Sequence, residues 1–249
     1  MKRLTTIASI VTLLILLPLL AQAEGLPTIT LGIGQAADPG QTSTALQILL
    51  VLTVLSMAPA ILLMTTCFTR IVIVLGFVRQ AMGTQNMPPT QIILGLSLFL
   101  SFFIMSPTFN RINTEALQPY LNEQLDQTAA LEKALVPMRD FMFSQVKEDE
   151  LTLLTEITLD SEPTDQKDVP TMTLIPAFML SELKRAFQMG FMIYIPFLVI
   201  DMIVASILMS MGMMMLPPVI ISMPFKLLLF VLVDGWSLVV GSLVKSFGL

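Results

Sequence analysis

Two aspartates lie inside apolar segments near the end of the 249-residue chain, Asp201 after Tyr-Ile-Pro-Phe-Leu-Val-Ile and Asp234 before Gly-Trp. An ionised carboxylate at the centre of a bilayer costs about 2.5–3.5 kcal/mol, so such acids usually face protein or water. Neither lies in the glycine-flanked pattern of an intramembrane aspartyl protease. A proton relay stays open, although no chain of partners is apparent. We expect structural pairs between helices or subunits, with Lys226 and Lys245 as the candidate partners.

Lys245 follows Asp234 by eleven residues, close to three helical turns, which places both on one face of a continuous helix. Leu238 and Gly241 lie on the same face, and Gly235 is nearby. Small residues let membrane helices approach closely. This stripe predicts a packing surface rather than a reactive site.

Three further charges, Glu182, Lys184 and Arg185, follow the short apolar run Leu174–Leu180. Glu182 and Arg185 are i, i+3 neighbours on a helix, where a local pair is possible. We therefore expect a structural role for these charges, through pairing between helices or subunits.

The residue types exclude most enzyme chemistry. The chain has no histidine, which removes imidazole metal sites and Ser-His-Asp triads, and Cys67 is the only cysteine, so no intrachain disulfide forms. The acidic residues show no spacing that picks out an acid–base pair, and no nucleotide-binding loop is present. We expect no catalytic residue, no metal and no cofactor.

A run of methionines is the densest signal in the sequence. Eleven of the nineteen methionines fall between Met172 and Met223, and Pro217 and Pro218 end the run. Methionine is unbranched and polarizable, so a cluster of it forms a surface that re-packs easily. A cluster between apolar helices favours a compliant pore constriction over an ordinary core. The predicted constriction consists of Met209, Met211, Met213, Met214 and Met215.

Composition places these residues in a membrane protein. Hydrophobic residues make up 55% of the chain and charged residues 12%, with a mean hydropathy of +0.82. A soluble domain carries about 25% charged residues. Thirteen acids and five bases lie between Arg111 and Asp168, although the whole chain has a net charge of −5. This asymmetry favours one polar domain outside the cytoplasm and argues against a nucleic-acid surface.

The pattern predicts an all-α integral membrane protein of long helical hairpins with a small extracytoplasmic helical domain. A charged start, a short apolar run and Ala-Gln-Ala predict a signal peptide cut between Ala23 and Glu24. Four spans follow, but this count puts Lys184 and Arg185 on the outer side, against the positive-inside rule. The predicted segments are the signal peptide 1–23, a periplasmic tail 24–44, a first hairpin 45–109 with a cytoplasmic-side loop 69–90, an acidic periplasmic domain 110–171 with a loop over Thr152–Asp168, and a C-terminal hairpin 172–249 with a methionine-rich loop 209–218.

The order and spacing of several motifs resemble a known family. SELKRAF, YIPFLVID, MGMMMLPP, ISMPFK and VDGW follow one another between Ser181 and Trp236, and GFVRQAMGTQNMPPTQIILGLSLFLSFFIMSP runs from Gly76 to Pro107. The chain resembles the FliP family of flagellar type III protein-export gate subunits over essentially its whole mature length.

The resemblance implies a multi-subunit pore complex at the flagellar basal body in the bacterial inner membrane. Several copies would assemble with FliQ and FliR on the FlhB and FlhA machinery, and the methionine-rich loop would close around exported unfolded flagellar proteins. Such complexes lie largely above the bilayer plane, which would account for Lys184 and Arg185.

Two alternatives stay open beside this function. The sister family of virulence injectisomes shares the C-terminal motifs, but its members commonly lack a cleavable signal peptide. An ion channel or secondary transporter subunit is the other alternative; inverted repeats typical of transporters are not evident here.

Overall fold

The computed structural model describes residues 39–84, 87–158, 163, 165–213 and 215–248, with side chains of residues 39–47 and Val54 excepted. The predicted signal peptide, its cleavage site at Ala23 and Glu24, and most of the predicted tail 24–44 lie outside the described residues. The chain divides into two compact units, residues 1–52 and 53–249. Of the first unit, the structure describes only residues 39–52, which form the beginning of helix α1.

Every regular element within these described ranges is a helix, which confirms the all-α prediction. A π-helical turn, Asn113–Leu117, and a 3₁₀ turn, Gln166–Asp168, accompany the α-helices. The α-helices are α1 Pro39–Met64, α2 Phe68–Ala81, α3 Thr90–Ile112, α4 Gln118–Leu121, α5 Gln127–Gln145, α6 Glu148–Thr158, α7 Thr171–Ser210, α8 Pro218–Leu232 and α9 Gly235–Lys245.

Helix α2 lies at the centre of the unit 53–249. Its residues Ile71, Val74, Leu75 and Val78 are buried at i, i+3, i+4 and i+7 spacing, one face of a helix. The helix packs chiefly against α7 and also against α3. The sequence predicted a loop over 69–90, whereas residues 68–81 are helical, because this short apolar run is buried by its neighbours and does not need membrane length.

Helix α7 is a single helix of 40 residues that continues through Pro176 and Pro196. The sequence predicted a separate short apolar run before the charges and a span beginning at Ala186. At 1.5 Å per residue this helix is about 60 Å long, roughly twice the hydrocarbon thickness of a bilayer. Its first part packs against α5 and α6. The charged residues do not end the helix because neighbouring elements supply partners for them.

Within the part of the chain that the structure describes, two helical segments are long and apolar enough to cross a membrane, Thr90–Leu121 and Thr171–Ser210. Two bent helix pairs, Ile48–Met64 with Phe68–Ala81 and Pro218–Leu232 with Gly235–Lys245, would raise the number of possible spans to four. The four-span count therefore stays a prediction. Helices α8 and α9 meet at an angle of 64°, so Asp234 and Lys245 do not lie on one continuous helix as predicted.

The acidic region is more helical than its composition predicted. Residues Glu148–Thr158, which include the start of the predicted loop, form α6. The first turn of α6 carries Glu148, Asp149 and Glu150, and acids at a helix N-terminus are stabilised by the helix dipole. A small second core holds this region against α7, formed by Met142, Val169, Leu174 and Phe178.

Candidate functional site

The methionine-rich loop 209–218 joins α7 to α8, and local backbone bonds determine how it begins. Gly212 has a positive φ of 75°, which suits glycine because it has no Cβ. The Gly212 N–H donates to the Met209 carbonyl at 3.0 Å, and the Met213 N–H donates to the Leu208 carbonyl at 3.0 Å. These two bonds form a Schellman motif, which satisfies carbonyls at the end of α7. The chain therefore turns sharply at Gly212, and Pro217 and Pro218 begin α8.

The described methionines of this loop project away from the packed core. Met209, Met211, Met213 and Met215 are 65%, 62%, 43% and 98% exposed, whereas Met105 and Met142 are buried. Met214 lies outside the described residues. A cluster of exposed, flexible thioether side chains is free to adapt to whatever contacts it.

Below the loop, a charge pair joins the two helices of the hairpin. Lys226 of α8 is buried and donates to Asp201 Oδ2 of α7 at 2.5 Å, and the Ser222 hydroxyl donates to Asp201 Oδ1. Asp201 lies nine residues before the end of α7 and Lys226 eight residues after the start of α8. Both are about 12–14 Å from the loop along their helices. Removing one partner of a buried pair costs about 3–5 kcal/mol, so this pair fixes the two helices in register.

A second buried charge network, centred on Arg70, holds the other part of α7. Arg70 and Glu182 are both fully buried, and the Arg70 Nε donates to Glu182 Oε2 at 2.9 Å while Nη2 donates to Oε1. Arg70 Nη2 also donates to Gln145 at 3.0 Å, and Nη1 donates to the carbonyl and hydroxyl of Ser246. The Phe247 ring lies 3.7 Å from the guanidinium carbon. All five N–H donors of Arg70 are thus used, and they tie α2, α5, α7 and the C-terminal residues together.

Sequence reasoning missed Arg70 as a site residue and gave Glu182 a different neighbour. The local Glu182–Arg185 pair is not formed, because Glu182 binds Arg70, which is 112 positions away. The signal was present: Arg70 and Arg79 are the only charged residues between Asp38 and Arg111. An isolated arginine before one apolar run and an acid beside another apolar run are candidates for each other.

The remaining two charges of the SELKRAF motif contact the acidic region. Lys184 donates to Glu150 Oε1 at 2.7 Å, and Arg185 donates to Gln145 Oε1 at 3.0 Å. The Lys184 ammonium holds the pKa of the Glu150 carboxyl below its ordinary value. These contacts show how charges that looked misplaced in a membrane helix are compensated by residues of the polar region.

Asp234 differs from the other charged positions. It is exposed, adopts a left-handed backbone conformation with φ 50°, and precedes the first residue of α9 without capping it. Within the described part of the chain its carboxylate has no side-chain hydrogen bond or ion pair, and Lys245 is not its partner. The predicted Asp234–Lys245 pair on one helix face is not formed, since α8 ends at Leu232.

The sequence matches a known protein family over most of its length. The FliP family model matches residues 51–243. Flagellar biosynthetic protein FliP of Bacillus subtilis is 55% identical over 217 residues, which cover 87% of this chain and 98% of that protein. The protein of the same name from Caulobacter vibrioides is 49% identical over 232 residues, 93% of this chain and 86% of that protein. For Aquifex aeolicus FliP the identity is 46% over 226 residues, 89% of this chain and 92% of that protein. The chain belongs to the FliP family.

Proposed function

We propose that this chain is a pore-forming subunit of the flagellar type III protein-export gate, needed for flagellum assembly and for translocation of unfolded flagellar proteins across the inner membrane. Family membership and the flagellar names of its relatives support this function. The observation that carries the pore role is the methionine-rich loop, exposed at the end of an apolar hairpin. All of the relatives described above carry a flagellar name, so the injectisome alternative is not favoured.

The mechanism is a methionine gasket, by which we mean the thioethers of Met209, Met211, Met213, Met214 and Met215 closing a pore. Several copies bring their loops to a common axis. The Asp201–Lys226 pair holds α7 and α8 in register below the loop. Beyond this ion pair, the unbranched methionine side chains yield to a passing protein chain and close again around it, which limits ion leakage.

The surface of the chain supports assembly with other subunits. Large apolar side chains are exposed along α3, α7 and α8, among them Phe99, Phe103, Phe191 and Leu228. Exposed apolar faces of this extent need lipid or protein to cover them. In our proposal the cover comes from further copies of this chain, from FliQ and FliR, and from the bilayer, with FlhB and FlhA on the cytoplasmic side. The role is transport without catalysis, and the energy for export comes from partners or the proton gradient.

We place the protein in the inner membrane at the flagellar basal body, with the acidic region in the periplasm. Thirteen acids against five bases between Arg111 and Asp168 favour the outer side. Lys184 and Arg185 bind Glu150 and Gln145 of that region. Their position on the outer side is therefore supported by local partners rather than opposed by the positive-inside rule.

The gasket is tested by replacing the five loop methionines with alanine and measuring small-ion leakage through an opened gate in native membranes. Alanine removes the flexible side chains, so we expect leakage to rise. The matched control replaces Met192, Met202 and Met172, which are also exposed but lie within α7, and we expect no rise. Unchanged conductance in the loop variant would contradict the gasket role.

A second measurement separates a structural role of Asp234 in assembly from a conductive role. Asp234 is exposed and unpaired within the described residues, so an intersubunit partner is open to it. We expect Asp234→Ala to lower the recovery of intact complex. Normal assembly with lost export would instead point to a conductive role for this carboxylate.

A further inference from the structure

In the single chain the thioethers of the methionine-rich loop are open to solvent, and in the proposed gasket they would border the aqueous passage of the exported chain. Met211 and Met215 are 62% and 98% exposed and lie beyond the end of α7. By contrast, Met105 and Met142 are enclosed in the two cores. Susceptibility of methionine to oxidation follows exposure of the sulfur to an aqueous oxidant.

We propose that the methionine-rich loop is a reversible oxidation site, at which a peroxide converts the thioethers of Met209, Met211, Met213 and Met215 to sulfoxides and thereby loosens the seal. This inference rests on the proposed gasket function. The sulfur lone pair attacks one peroxide oxygen, an S–O bond forms and the O–O bond breaks. Sulfur loses two electrons, and hydrogen peroxide is reduced to one molecule of water.

The expected consequence follows from the polarity of the product. A sulfoxide is polar and chiral where the thioether was apolar and flexible, and this change disrupts methionine-rich contacts. Around a shared axis, sulfoxide oxygens would retain water because a buried acceptor without a partner is costly. A ring that holds water conducts ions better than a dry ring, so oxidation should raise leakage. Methionine sulfoxide reductases restore the thioether.

The chain contains its own reference methionines for each environment. Met172 begins α7 beside the acidic region and is exposed, so it reports the reactivity of a water-accessible thioether. Met192 is 73% exposed in the single chain and lies within the apolar segment of α7, where lipid or another subunit would cover it in the proposed assembly. Met105 is fully buried. These three methionines separate the effect of side-chain exposure on oxidation from the effect of cover by lipid or protein.

The first experiment maps oxidation in the complete complex in native membranes, in a Cys67→Ser background. Membranes receive increasing amounts of hydrogen peroxide, and mass spectrometry measures the gain of one oxygen at each methionine. We expect Met211 and Met215 to be oxidised at the same doses as Met172, and before Met192 and Met105. Oxidation of the loop only at doses that also modify Met105 would overturn the proposal.

The second experiment measures ion leakage before and after peroxide, and again after treatment with the two sulfoxide reductases. We expect leakage to rise with loop oxidation and to return after reduction. A variant with leucine at the five loop positions keeps apolar side chains without sulfur, and it should show no response to peroxide. Unchanged leakage of the parent protein after complete loop oxidation would overturn the proposal.

These outcomes are distinguishable from failure of the gasket role itself. If the alanine variant leaks but oxidation of the parent does not increase leakage, the gasket stands and the oxidation site is wrong. If the alanine variant does not leak, the gasket is wrong whatever the oxidation map shows. Peroxide-induced leakage in the leucine variant would assign the effect to other residues and would also overturn the proposal.

Discussion

The two parts of α7 differ in how their side chains are held. At Glu182 and Gly190 the helix is enclosed by α2 and α5, with a fully buried ion pair at Glu182 and the Phe77 ring packed too close to Gly190 for a Cβ. About 40 Å from Glu182 along the same axis, the side chains of Met209, Met211, Met213 and Met215 are exposed. One helix therefore combines a rigid base, the part around Glu182 and Gly190, with a compliant end. Substitutions at the base should therefore change stability, and those at the end should change leakage.

The largest expected effect is the loss of the base ion pair. Glu182→Gln removes the carboxylate that binds Arg70 and leaves a buried guanidinium without its counter-charge. We expect a loss of about 3–5 kcal/mol in the free energy of unfolding, measured by thermal unfolding of the detergent-solubilised protein. The control, Glu115→Gln, removes an exposed acid that pairs with Arg111 and should have little effect. Equal losses in the free energy of unfolding of the two variants would show that burial does not make the Arg70–Glu182 pair more stabilising than an exposed pair.

A smaller effect is expected at the close approach of α7 and α2. A Cβ on Gly190 would lie 2.3 Å from the Phe77 ring, whereas a Cβ on Gly95 meets nothing within 4 Å. Gly190→Ala should cost about 1–3 kcal/mol through overpacking, and Gly95→Ala should be neutral or stabilising. Adding Phe77→Leu to Gly190→Ala makes room for the methyl group. If this second change does not restore thermal stability, the contact is not the cause of the loss.

The end of α7 should respond locally. Gly212→Ala places a Cβ in a left-handed conformation, which costs about 1–2 kcal/mol. Because the loop is exposed, we expect faster hydrogen exchange at residues 208–213 with little change in global unfolding. The matched change Gly241→Ala, which meets open space within α9, should leave exchange of the loop unchanged. A large loss in the free energy of global unfolding from Gly212→Ala would mean that the loop and the base of α7 unfold together.

The smallest effect is a pH dependence at the edge of the base. Lys184 lowers the pKa of Glu150 below its ordinary value of 4.5. A carboxyl with a lowered folded-state pKa contributes stability above the unfolded pKa, and this contribution is lost as pH falls through 4.5 and the folded-state pKa. We expect the difference in unfolding temperature between the parent and Glu150→Gln to shrink as pH is lowered below 4.5. A difference in unfolding temperature that stays constant with pH would contradict a stabilising Lys184–Glu150 ion pair.

The sequence predicted much of the fold because composition and proline positions act locally. The apolar content predicted long helices, which are observed, and a short non-helical stretch separates α7 from α8 at the proline pair 217 and 218. The density of methionines singled out this loop as a candidate constriction. Its role as a constriction stays a prediction, since a shared axis involves other copies of the chain.

Long-range contacts are what the sequence could not supply. The segment of α2 was predicted to lie in a cytoplasmic-side loop because its only charges are the arginines Arg70 and Arg79. Its burial depends on α3 and α7, which are distant in sequence. In the same way, the partner of Glu182 lies far along the chain, and a local pair with Arg185 was the only one that spacing could offer. The break at Asp234 was missed because no proline or charge pattern marks it.

Whether the loops of several copies meet at one axis is tested with a single cysteine at Met213 in a Cys67→Ser background. Oxidative crosslinking between copies is measured in native membranes. Our account predicts disulfide-linked pairs of this chain, because the loops of several copies meet at a common axis. Labelling with a maleimide verifies that the introduced thiol is reactive. A reactive thiol that forms no crosslink between copies, with the partner subunits present and the protein stable, would show that the loops point apart and would contradict the account.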